Sequence, residues 1–96
     1  MLTHIVCWKY KEEASEEERK DHRAALRGLV AQIPEIIEFR VGKDILHLDR
    51  SFDTALYSTF ADESALQRYT DHPAHLAVAA MGRGMSIQVV SVDFVD

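Results

Sequence analysis

The sequence predicts one α+β domain with its elements in the order βαββαβ, and three observations lead there. An amphipathic helix with clear start and stop signals lies between two strand-like stretches. A second helical segment, interrupted by a proline, lies between two more strands. The first and last strands carry apolar residues on both faces, which puts the sheet between two covering layers. Ninety-six residues suffice for a single core and not for a second lobe, so residues 1–96 are expected to form one domain.

Residues 2–10 alternate so that His4, Val6, Trp8 and Tyr10 share one face, with Thr3, Ile5, Cys7 and Lys9 on the other. After a charged loop, Ser15 with Glu18 three residues on forms a capping box that opens a helix. His22, Ala25, Leu26, Leu29, Val30 and Ile33 recur at three- and four-residue spacing and make its apolar stripe. Glu16, Arg19, Lys20, Arg23 and Arg27 fall on its solvated side, and Pro34 ends it.

Residues 36–46 read as the second strand, with a bulge expected at Gly42. The polar residues 47–53 connect a hairpin to the third strand, 54–61. Asp62 caps a shorter helix that carries Leu66 and Tyr69 inward. Residues 76–81 form a small further helical piece closed by Gly82 and Gly84, and 86–95 is the last strand.

This order is the ferredoxin-like split arrangement, a four-stranded antiparallel sheet with its helices on one face. Ile5, Cys7 and the doubly apolar last strand require a cover on the other face as well. Nothing remains in so short a chain to supply it, so a second copy is the expected lid. Two sheets packed face to face would make a dimeric α/β barrel, that is, a homodimer.

An apolar fraction of 47% and a charged fraction of 28% are those of an ordinary soluble globule. Eleven basic residues against sixteen acidic give a net charge of −5, which argues against nucleic acid as a partner. The longest apolar runs are too short to span a bilayer, so no membrane role is expected. Cys7 is the single cysteine, so no intramolecular disulfide can form. With no basic-plus-apolar leader in view, the expected compartment is the cytoplasm.

The densest chemistry lies in residues 69–75, where two imidazoles and a phenol fall within seven residues around Pro73. Pro73 disfavours helix at His72 and suits the first position of a new helical turn. His75 then sits near the positive end of that turn, whose field favours neutral imidazole, the form that acts as a general base. Tyr69, six residues earlier, is placed to steady a developing enolate while His75 removes the proton. His4 and Trp8 lie on a shared strand face, and with His72 they are candidate ligand contacts. His22 falls on the inward helix stripe and is expected at the helix edge.

His72 and His75 alone do not complete a metal site, and no metal or other cofactor is expected. Cys7 lies mid-strand with no evident base, as a structural thiol would. Gly82-Arg83-Gly84 is too short for a phosphate-binding loop.

The opening His4-Ile5-Val6 strand with Trp8 and Tyr10, the Gly42-Lys43-Asp44 turn, and Tyr69 followed by His72-Pro73-Ala74-His75 together resemble the stress-responsive A/B barrel family. The resemblance runs nearly the whole length and implies a ferredoxin-like homodimer built around a shared barrel. That family includes plant stress proteins and a cofactor-independent plant polyketide cyclase. By resemblance to the cyclase, His75 matches its general base, Tyr69 the assisting tyrosine, and His4 a histidine of its pocket. A further pocket histidine of the cyclase is matched by Thr54, a departure that points to a different substrate.

The resemblance implies a pocket for a small, largely apolar ligand, in a binding or stress-associated protein. The rival is an enzyme of the cyclase or isomerase type, and a third reading is a cofactor-free monooxygenase.

Overall fold

The computed structural model describes residues 1–96. The strand Leu2–Tyr10, β1, runs through the middle of a four-stranded sheet, antiparallel to β3 (Thr54–Phe60) on one side and to β4 (Ser86–Val95) on the other. Beyond β3 lies β2 (Glu38–Lys43), so the strand order is β2-β3-β1-β4. The helices α1 (Glu16–Gly28), α2 (Glu63–Asp71) and α3 (Pro73–Gly84) cover one face of the sheet. This is the βαββαβ ferredoxin-like arrangement, with the second helical segment split in two. No helix is long and apolar enough to cross a membrane.

The capping box forms as the spacing predicts. Ser15 accepts from the Glu18 backbone N–H, and the Glu18 carboxylate takes the Ser15 N–H in return. Within α1 the inward stripe differs from the simple periodic reading. Val30 lies in a 3-10 turn at Leu29–Ala31 and is half exposed, whereas Arg23, expected in solvent, is buried. The tighter 3-10 turn rotates Val30 off the stripe, and the long apolar stem of Arg23 packs inward instead.

Gly42 makes no bulge. It pairs directly with Ala55 in an unbroken β2–β3 register, and a Cβ added there would meet nothing within 4 Å. The irregularity lies instead between Lys9 and Tyr10 in the β1–β4 ladder, where the Tyr10 N–H donates to the Asp53 carboxylate.

Gly82 does not end α3, which continues to Gly84. Its hydrogen side chain is needed inside the helix, because a Cβ would lie 2.8 Å from both His22 Nε2 and Trp8 Nε1. The core lies between sheet and helices, where Val6, Trp8, Leu26, Leu29, Phe60 and Tyr69 are buried together. On the opposite face, β4 presents Val90, Val92 and Phe94 beside Ile5 and Cys7 of β1. Val92 and Phe94 are exposed in the single protomer.

Candidate functional site

The broken second helix builds the site. α2 ends at Asp71 and His72 turns into extended backbone, the conformation favoured before proline. Pro73 then opens α3. Each histidine of the corner closes one open helix end. His72 Nδ1 accepts the Ala74 N–H at 3.0 Å and so caps the start of α3. His75 Nδ1–H donates to the Thr70 carbonyl of α2 at 2.9 Å. A carbonyl can only accept, so Nδ1 carries the hydrogen and Nε2 of the neutral ring keeps a free lone pair.

Burial holds His75 below the usual imidazole range, and the neighbouring His4 and Arg83 push the same way against the Thr70 bond. The direction matches the helix-end expectation, but desolvation is its main cause.

The Tyr69 ring lies beside that imidazole, with centroids 4.4 Å apart and the planes tilted by 44°. Tyr69 is almost wholly buried, and burial raises its phenol above the usual range, so it stays a hydrogen-bond donor. Across the space, the His4 ring meets Tyr69 edge-on at 6.1 Å. His4 Nδ1 is paired with the carboxylate of Asp93, its direct partner in the β1–β4 register. That carboxylate fixes which way the His4 ring faces.

His4, Trp8, Tyr69 and His75 line one cavity of about 260 Å³, with Leu26, Leu56 and Val89 among its apolar walls. Its size falls just below the roughly 300–1,000 Å³ usual for ligand pockets, as suits a small ligand. Four of the five site residues predicted from sequence therefore converge. His72 does not: its ring is spent on the helix cap and lies outside the cavity lining. His22 is also placed differently from expectation. It is fully buried in the core rather than at the helix edge, and its Nδ1 bonds to the Tyr10 hydroxyl at 2.7 Å. Thr54 takes part in the same network, as acceptor for that hydroxyl. Burial raises the Cys7 thiol on the open sheet face, which fits a structural role.

Four polar residues of the site escaped sequence reasoning: Thr70, Arg83 and Ser91 in the lining, and Asp93 behind His4. Asp93 did leave a trace, as the lone charged residue of the last strand. The assembled site holds an oriented neutral base, a buried phenol and a carboxylate-backed imidazole around an apolar space. Such a set can take a proton from carbon and return it elsewhere without a metal.

Comparison with known proteins gives the same architecture. A curated relative, the uncharacterized protein SCO4036 of Streptomyces coelicolor, is 29% identical over 95% of this chain and 96% of its own. A dimeric ferredoxin-like protein of unknown function from Thermobifida fusca superposes with a TM-score of 0.90 at 26% identity, over 99% of this chain and 90% of that one. A hydroxynitrile lyase from Passiflora edulis shares the fold, with a TM-score of 0.89 at 24% identity over 99% and 92% of the two chains. The stress responsive A/B barrel domain matches residues 2–96, and the chain belongs to that family.

Proposed function

We propose that this protein binds a small, largely apolar carbonyl compound between sheet and helices, and that His75 removes a proton from it. The observation that carries this reading is the Thr70 bond, which fixes the His75 tautomer and leaves Nε2 free beside the Tyr69 phenol. Tyr69 would donate to the developing enolate, and the His4–Asp93 pair would hold a second exchangeable proton. The reaction class is that of a cofactor-independent cyclase or isomerase. Benzoylacetone, an apolar β-diketone with an acidic C–H, is a suitable probe. In an NMR titration of the five histidines, His75 is expected to titrate below 6.5 and to shift on adding benzoylacetone. A His75 that titrates like free imidazole and ignores the probe would sink the proposal. If the probe binds without proton exchange, the protein is a binding module.

The second part of the proposal is the assembly. Val92 and Phe94, exposed on the open sheet face, support a homodimer through that face, and the Thermobifida fusca relative is itself dimeric. Val92→Arg puts an unpaired charge on that face and is expected to sediment as a monomer where the wild type sediments as a dimer. Identical sedimentation of the two proteins would refute the face.

A further inference from the structure

We propose that the ligand of this cavity carries a single carboxylate, and that Arg83, two turns along α3 from His75, binds it. The proposal rests on the reading of the cavity as a ligand site and adds the class of ligand.

His75, Ala79 and Arg83 all line the cavity, and their spacing of four and eight residues puts them along one face of α3. Eight helical residues rise about 12 Å. The wall therefore carries a base and a cation that start two turns apart, the cation still near enough to act on His75, with apolar Leu26, Leu56 and Val89 among the residues facing it.

The charge balance is lopsided. Arg83 is the one permanently charged side chain in the lining, and no carboxylate lines the cavity beside it. Asp93 is taken by His4, and Arg83 is absent from the ion pairs the fold makes. This local positive excess occurs in a chain whose net charge is −5. A guanidinium is a planar fork that meets a carboxylate with two parallel hydrogen bonds, and one guanidinium balances one negative charge. A phosphate monoester brings roughly 1.5 to 2 charges and would leave part of them unmatched here.

Arg83 also stands in the last turn of α3, where any cation suits the helix dipole. Lysine would serve that second role equally well but cannot form the paired bonds, so Arg83→Lys separates the two roles.

The test compares 3-phenylpropanoate, its uncharged isostere 3-phenylpropanamide, and 2-phenylethyl phosphate, titrated by calorimetry and NMR at low ionic strength. The wild type is expected to bind the acid about tenfold more tightly than the amide, as a charge-assisted pair would give. Arg83→Gln should bring the acid down to the amide's affinity and leave the amide unchanged. Arg83→Lys should keep the wild-type Tm yet lose much of the discrimination.

Equal binding of acid and amide by the wild type overturns the proposal, as does discrimination that survives in Arg83→Gln. Tighter binding of the phosphate overturns the single-carboxylate assignment. If neither acid nor amide moves the Tyr69 and His75 resonances, the cavity reading itself falls, and this inference with it.

Discussion

Replacing His75 with glutamine should slow the exchange of the central benzoylacetone proton for deuterium by roughly 10²- to 10⁴-fold, the usual worth of a positioned general base. Glutamine keeps a polar group of similar reach but has no basic lone pair to accept the proton. Tyr69→Phe keeps the ring that packs against Phe39 and Phe60 and removes only the donor. Its loss should be smaller, on the order of 10²-fold, as for one donor to a developing oxyanion. The pH profile separates a base from a structural residue. His75 works as the neutral form and its pKa is depressed by burial. The rate should therefore rise with pH through a midpoint below 6.5 and be level by pH 7. An exchange rate unchanged in His75→Gln, with the Tm preserved, would refute the role.

Mild acid should cost this domain about 3 kcal/mol through His22 alone. The ring is fully buried. Its Nδ1–H donates to the Tyr10 hydroxyl, which donates onward to Thr54, and its Nε2 has no partner. A proton on Nε2 would have no acceptor, and the Arg23 cation is close by. Desolvation first, and Arg23 second, hold the pKa down at about 4 against 6.5 for a free imidazole. As pH falls, the unfolded chain takes up the proton near 6.5 while the folded one resists until about 4. Stability is complete above 6.5 and is lost as pH falls towards 4. Against the usual 5–15 kcal/mol total, a loss near 3 is large. Urea denaturation at pH 7.5 and 4.5 measures it. His22→Gln can still donate to Tyr10 but cannot titrate, so its drop between the two pH values should be clearly smaller. Equal drops would assign the acid sensitivity to the carboxylates instead.

Local rules made much of this structure legible in the sequence, and the misses share a cause. Period-two alternation on β1 was enough to put His4 and Trp8 on one face, and the proline corner was enough to bring Tyr69 and His75 together. His72 looked equally chemical because spacing cannot distinguish a ring that caps a helix from one that faces a cavity. Asp93 pairs with a histidine 89 residues earlier, and no local pattern specifies that register. Gly82 read as a helix stop, the local meaning of glycine, until the rings of Trp8 and His22 gave it a tertiary one. Arg23 shows the same limit, since an amphipathic stripe assigns long cations to solvent by default.

β4 has a double allegiance. Asp93 holds His4 on the helix side of this strand, while Val92 and Phe94, its immediate neighbours, point the opposite way. β4 is an edge strand, paired within the sheet to β1 alone. A second copy seated on Val92 and Phe94 would suppress its fraying and keep the carboxylate in place. Association and ligand binding then become thermodynamically linked. Dilution that separates the protomers should weaken the grip on ligand, and ligand should tighten the pairing of protomers by the same factor.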